Sequence, residues 1–449
     1  MLQSRMRRWL YLGFLLAFLF IAPAVVLYTA GYRVHFSSRT LVQTGLISVR
    51  SIPKGAHIFI DGKDTGTRST TLVENIFPGD HRVRLKKDGY ISWEKLLPVG
   101  SRETTFIEDI VLFAEGEAEL VREVDDLVAV DPTRGRAAFE VSEGSWSEIW
   151  MIETNTGRQN LLARYPSQIP VRRLAWSADG SFLEVTTESS NAYPQVSLVQ
   201  AATGRVFDAT ARAPDLEASW WDTRSGSVYF IRRKGGLLAW NLDNDEVTIF
   251  PVYTSSARSD NRQMIITTPV AEQVALSRFD PTTNVSSIIA YLPRASYAFE
   301  ASPAGLALLY DQRTERLLVI DERGGEDPIL LSPNANLWQW DPSGRRRLLY
   351  SDGFDLHIFD ADTGSDETIT RVSSPLTGLA WHRSGNAALV SQAQGISAIE
   401  FDGRDRRNVV DLASGTHFTD IWTDDQSRTA YFFGVINNVP GLYSRALVK

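Results

Sequence analysis

The residues best suited to acid–base or metal chemistry are scattered. The six histidines are His35, His57, His81, His357, His382 and His417, and no two stand four apart with a glutamate between them. A zinc-hydrolase helix, which needs two imidazoles one turn apart on one face, is therefore not encoded. The chain has no cysteine, so disulfides, thiolate metal sites and cysteine nucleophiles are excluded together. No phosphate loop, nucleophile elbow or dinucleotide fingerprint stands in its structural context. A triad assembled from distant segments leaves no spacing signal, which keeps as an alternative an envelope hydrolase or lyase with its site at the mouth of the channel of the repeat fold described below.

The most metal-like run is Asp360-x-Asp362-x-Gly364-x-Asp366-Glu367, with hard oxygen ligands at calcium-loop intervals. Comparable runs occur at Glu153-Thr154-Asn155-Thr156-Gly157, Asn241-Leu242-Asp243-Asn244-Asp245, Asp321-Glu322-Arg323-Gly324 and Asp402-Gly403-Arg404. All occupy one place in a repeat described below, where a tight turn demands these same short polar residues and glycine. The expectation is a turn, with no metal and no cofactor. Arg345-Arg346-Arg347 and the run from Arg404 to Arg407 suggest a basic patch diluted by acidic neighbours. They read as a solvated rim, with anionic lipid headgroups or cell-wall polymer as the sharper alternative. A net charge of −8 argues against duplex nucleic acid, whose binding rests on clustered lysine and arginine.

Of the twelve tryptophans, five belong to a recurring turn that organises most of the chain. Its type copy is Leu174-Ala175-Trp176-Ser177-Ala178-Asp179-Gly180-Ser181-Phe182-Leu183: a β run ends in an aromatic, a polar turn is closed by glycine, and a second β run begins. Related stretches start at Val130, Trp221, Glu300, Trp340, Trp381 and Trp422, and a motif-less unit is inferred near Arg258 from spacing alone. A period of about forty residues is what four-stranded propeller blades produce. The units resemble the WD-like propellers of bacterial periplasmic proteins of the TolB type, in fold and turn motif only. The eighth unit runs out of chain before a fourth strand, and the β-prone stretch from Glu117 to Glu123 is available to complete it. Such overlap closes the ring and removes free edges. Eight blades are expected, or seven if the unit at 258 is not a blade. The motif tryptophans then read as packing between blades.

Ahead of the repeat, Trp9 to Ala30 is apolar and uncharged, preceded by Arg5, Arg7 and Arg8. This reads as one transmembrane helix with a cytoplasmic N-terminus and an extracytoplasmic remainder. A cleavable signal at Ala22-Pro23-Ala24 is the rival, opposed by the apolar continuation Val25 to Tyr28.

Between helix and repeat lies a short all-β stretch. It contains Pro53-Lys54-Gly55-Ala56, Ile58, Ile60, Asp61-Gly62, Gly66, Leu72, Gly79-Asp80-His81, Val83, Leu85, Gly89-Tyr90 and Trp93. These resemble a PEGA domain, although Lys54 replaces the glutamate of the family's name. The resemblance implies a small β-sandwich-like extracytoplasmic module without known catalytic residues. The expected division is 1–8 cytoplasmic, 9–32 transmembrane, 33–113 PEGA-like and 114–449 propeller, an all-β fold behind one helix.

In such a propeller the loops joining second to third strands, and fourth to next first strands, share one face. Ser142 to Trp146, Ser189 to Pro194 and Val435 to Pro440 read as the longer or more apolar loops of the first kind, and Arg164 to Arg172 and Thr210 to Glu217 of the second. Exposed aromatics on such loops predict a partner-binding patch at Trp146, Tyr165, Tyr193 and Ile436. The competing reading is that these loops dock the small β domain. The expected function is non-catalytic: a membrane-anchored envelope protein binding a protein, peptide or glycan, with no catalytic residue assigned. A purely structural surface protein is a further alternative.

Overall fold

The computed structural model describes residues 2–35, 40–124, 126–131, 133, 135–188 and 194–449. They fall into two compact units. The first comprises 1–115 with the later segment Glu400–Asn408 and Val448; the second holds the remainder.

The first unit begins with a helix, Leu2–Thr29, whose Trp9–Thr29 portion is long and apolar enough to cross a membrane. After a hairpin, Tyr32–His35 with Thr40–Gln43, come two sheets. Gly45–Ile52 is the centre of a three-stranded sheet, antiparallel to Thr71–Ile76 and parallel to Thr104–Val111. Lys63–Arg68, His57–Ile60, Gly79–Lys86 and Trp93–Val99 form a four-stranded sheet in that order. Strand alternation decides what each face buries. In Gly79–Lys86, Val83 and Leu85 are fully buried while Arg82, Arg84 and Lys86 face outward. The two sheets share one apolar core, with Ile47, Val49 and Ile107 from the first and Ile58, Val83, Leu85 and Leu97 from the second. Asp61-Gly62 makes the hairpin turn with φ of 52° and 79°, the positive-φ conformation that aspartate and glycine tolerate in a two-residue hairpin.

Lys95 is fully buried in this unit, with Nζ 3.3 Å from the Glu400 carboxylate and 3.5 Å from that of Asp402. The Trp93 indole donates to Glu400 at 3.0 Å. A buried ammonium needs such partners, because an uncompensated charge in the interior costs several kcal/mol.

The second unit is built from antiparallel four-stranded sheets arranged in chain order. Among the described residues there are eight of them. The motif-less stretch forms a full sheet, Ser256–Asp260, Gln263–Val270, Gln273–Asp280 and Val285–Pro293. The last sheet takes Thr416–Thr423, Thr429–Ile436 and Val439–Ala446, and Glu119–Arg122 pairs with its outer strand as the fourth member. First strands of neighbouring sheets adjoin, as Asp126–Val130 does Val171–Trp176, Ser256–Asp260 does Tyr297–Glu300, and Leu376–Trp381 does both Leu337–Trp340 and Thr416–Thr423, and the last sheet's Thr416–Thr423 adjoins Asp126–Val130 of the first. This is a β-propeller, closed by strands from both ends of the unit.

What stitches neighbouring sheets is a donor–acceptor rule. The Trp176 indole donates to the Ala129 carbonyl at 2.9 Å, Trp221 to Ala175 at 2.9 Å, and Trp381 to Gln339 at 2.8 Å. Each acceptor is the residue just before the preceding sheet's anchor. The Trp340 indole donates to the Ala301 carbonyl at 2.9 Å, the residue just after Glu300, and Glu300 pairs with Leu308 as Trp340 pairs with Leu348. Arg258 holds the anchor slot of the motif-less sheet and is fully buried. It pairs with Glu322 and lies 5.6 Å from the Phe299 ring centroid. There the indole bond is reversed, with Trp220 of the preceding sheet donating to Ala257 at 2.8 Å. Burial pushes the Arg258 guanidinium down to about 10, with the neighbouring Arg224 acting in the same direction and Asp260 and Asp222 opposing.

Candidate functional site

Of the residues expected to form an apolar patch, Tyr193 lies outside the described residues, as do Ser189 to Ala192 of its loop. The other expected loops are shorter than they read. Arg136–Glu143 and Trp146–Glu153 meet at a two-residue turn, Gly144-Ser145, with Gly144 at φ 60°. Thr429–Ile436 and Val439–Ala446 meet at Asn437-Asn438, with φ of 53° and 65°. Both asparagines tolerate the left-handed region that a tight hairpin requires, so apolar residues on either side continue the strands instead of forming a loop. Tyr165 is likewise on a strand, Gln159–Pro166. Thr210 to Glu217 is shortened by the helix Ala209–Arg212, whose first turn is capped by Asp208 accepting from the Ala211 N–H at 2.8 Å.

This geometry separates the predicted patch. Trp146 is opposite Pro166, and Tyr165 is opposite Ser147, so the two rings leave opposite faces of one sheet. Tyr165 packs on the core between the first two sheets, against Leu174 and Val185. Burial raises its hydroxyl pKa against the effect of a Ser197 hydrogen bond. Trp146 remains 45% exposed. Ile436 lines a rim cavity of about 630 Å³ with Gln392, Gln394, Ser397, Asp411 and Asn437.

The metal-like run is a turn whose carboxylates are committed. Asp360 accepts from the N–H groups of Asp362 and Thr363 at 2.9 and 3.0 Å. Asp362 takes the Arg346 guanidinium at 2.9 Å, and Asp366 takes the Tyr350 hydroxyl at 2.7 Å. The basic residues are also spent. Arg347 binds Asp341 at 2.6 Å and the Gly385 carbonyl at 2.7 Å, and Arg404 binds Asp402 at 2.8 Å.

A different group converges at the centre of the propeller. The first strands of the second to fifth sheets border a cavity of about 430 Å³ lined by Arg173, Trp220, Arg232, Glu300 and Tyr310. Those of the fifth to eighth sheets and the first border another of about 620 Å³, lined by Glu300, Trp338, Gln339, Leu379 and Asp420. Glu300 faces both.

The two cationic side chains here are matched. Arg173 lies 3.4 Å from Glu184, and Glu184 also accepts from Tyr229 and Thr186 at 2.9 Å. Arg232 lies 3.6 Å from Glu217. Glu300 makes no hydrogen bond or ion pair among the described residues. Burial pushes its carboxyl up to about 7, against the pull of Arg173. The Tyr310 ring lies 4.5 Å from that of Trp338 at 48°. Neither the Tyr310 hydroxyl nor the Trp338 indole N–H has a hydrogen-bond partner among the described residues. Burial raises the Tyr310 hydroxyl, with Glu315, Glu300 and Asp311 adding to it.

Sequence reasoning missed this cluster. Its members come from separate repeats, and the only available signal was a charge close to an anchor position, at Glu300. The site has a half-buried carboxyl able to exchange a proton near neutrality, two aromatic faces and polar tips not committed to the protein. Such a site can hold a polar ligand.

Comparison with known proteins matches residues 44–110 to the PEGA domain. No curated protein matches the chain. Among solved structures, the C-terminal WD40 domain of Sif2 is 13% identical, with a TM-score of 0.49 over 74% of this chain and 99% of that one. An oligogalacturonate lyase in complex with manganese is 12% identical, with a TM-score of 0.41 over 75% and 99%. The uncharacterized protein lmo1340 from Listeria monocytogenes EGD-e is 11% identical, with a TM-score of 0.44 over 67% and 98%.

Proposed function

We propose that this is a non-catalytic bacterial envelope protein, held by one N-terminal helix with its short N-terminus in the cytoplasm, whose extracytoplasmic propeller binds a protein, peptide or glycan. The observation that carries this reading is the division of labour within the propeller. Four of the five anchor indoles, those of Trp176, Trp221, Trp340 and Trp381, donate between sheets, and the fifth, Trp422, is buried, whereas Glu300, Tyr310 and Trp338 keep polar tips available at the channel. A rigid closed ring with uncommitted polar and aromatic tips suits recognition. A photo-crosslinking residue placed at Trp338, and separately at Trp146, tests it in the native membrane. A specific adduct from either position is expected. Its absence from both, at normal expression and with an unchanged melting temperature, would remove the binding role.

One observation favours an envelope hydrolase or lyase as the second reading. A carboxyl near pH 7 is suited to general acid or base catalysis. Turnover of an envelope polymer that is lost in Glu300→Gln would establish it and displace the first reading.

A further inference from the structure

We infer, building on the proposed binding role, that the propeller channel receives a primary ammonium group, seated in the corner between the Tyr310 and Trp338 rings with the Glu300 carboxylate as its counter-ion. The first argument is charge matching. Arg173 and Arg232 already have Glu184 and Glu217, and Asp131, on the wider cavity, accepts from Thr133 and from the Gly135 N–H at 2.9 and 3.0 Å. Glu300 alone faces both cavities, and it does so without a hydrogen bond or ion pair among the described residues. A half-buried carboxylate without a partner is costly to the protein, and a cation arriving beside it offsets that cost.

The second argument is shape. Two rings tilted by 48° at 4.5 Å make a corner and offer no flat platform. A sugar ring stacks on a flat face, whereas a compact ammonium is held by ring faces approaching from two directions. A guanidinium fits less well, since its planar fork seeks a bidentate acceptor pair. The ammonium could belong to a lysine side chain or to the free amino terminus of a peptide, because both present the same group on an extendable chain.

The full-length protein in detergent, titrated calorimetrically at pH 8, distinguishes these sources. Nα-acetyl-lysine amide offers only a side-chain ammonium, and alanyl-alanine amide only a terminal one. Nα,Nε-diacetyl-lysine amide and N,N′-diacetylchitobiose are the neutral probes. At least one ammonium probe should bind, at least tenfold more tightly than either neutral probe. Glu300→Gln should weaken it at least tenfold and Trp338→Ala several-fold, while Tyr310→Phe, which keeps the ring, should change it little. Glu300→Asp, which retains the charge, guards against misfolding and should retain most of the binding. Equal affinity for the diacetylated probe, unchanged affinity in Glu300→Gln, or binding of the disaccharide alone would overturn the inference. If no ammonium probe binds while crosslinking at Trp338 or Trp146 still captures a partner, the ammonium assignment falls and the binding role stands.

Discussion

Trp340 and Trp338 stand two residues apart on one strand, Leu337–Trp340, and differ in what their indoles do. Trp340 donates to the Ala301 carbonyl of the neighbouring sheet at 2.9 Å, whereas Trp338 donates to nothing among the described residues. Both are partly accessible, so exposure does not tell them apart. The difference lies in whether each hydrogen-bonding tip is consumed by the fold. The Trp340 indole helps hold two sheets together, whereas the Trp338 tip is left available at the channel.

The largest effect should come from breaking the consumed side. Trp381 is fully buried and donates to Gln339, with the Arg347 guanidinium 5.0 Å from its ring. Trp381→Ala should cost about 3–5 kcal/mol in denaturant unfolding, the range for removing a buried tryptophan. Trp338→Ala, which removes a partly buried ring packed on the core but no indole bond, should cost less, about 2 kcal/mol. Equal losses would erase the distinction between the two positions.

Arg258, the buried arginine in an anchor slot, should come next. Arg258→Leu leaves Glu322, itself 5% exposed, with only the more distant Arg224 at 3.6 Å. A loss of about 3 kcal/mol is expected, because removing the nearer partner leaves a buried charge under-compensated. A neutral outcome would show that the anchor slot tolerates any side chain that fills it.

The two regions should also respond to pH with opposite signs. The Glu300 carboxyl is raised by burial from its ordinary 4.5 to about 7. A carboxyl raised on folding contributes stability that is complete below its unfolded pKa and is lost as pH rises through the folded one. Stability should therefore fall by about 2 kcal/mol between pH 4.5 and 7.5, after allowance for the partial exposure of the group. Glu300→Gln should flatten this slope in melts recorded across that range. His382, in an anchor turn and buried, is lowered by burial from 6.5 to about 4, with a hydrogen bond donated to the Ser427 backbone opposing. Its contribution is present above pH 6.5 and is lost as pH falls through 4. His382→Gln should remove that acid-side slope and leave the Glu300 slope unchanged.

The smallest effect belongs to Tyr310→Phe. With no hydrogen-bond partner for the hydroxyl among the described residues, melting should move by less than about 0.5 kcal/mol. A larger loss would place the hydroxyl in the fold after all.

Much of the architecture was legible because it is written locally and repeatedly. The Trp-polar-Gly turns announced strand pairs at a period of about forty residues, and Asp61-Gly62 announced a hairpin through the positive φ that both residues accept. The loops were less legible. Asn437-Asn438 carries the same positive-φ signal as Asp61-Gly62, but the apolar residues around it made the stretch look like an exposed loop. The predicted patch dissolved for a related reason: Trp146 and Tyr165 stand one register position apart on adjacent strands, so the alternation of strand side chains sends them to opposite faces.

By itself the sequence determined an apolar N-terminal helix, a PEGA-like module and a repeating four-strand unit, since each depends on contacts between residues close along the chain. Only the tertiary structure decided which aromatics are consumed between sheets, that Arg258 stands in for a missing tryptophan, and that Glu300, Tyr310 and Trp338 share the channel. Those three come from different strands, two of them from different repeats. Their meeting depends on how neighbouring sheets pack in the propeller, and neither the spacing nor the composition of any single repeat encodes it.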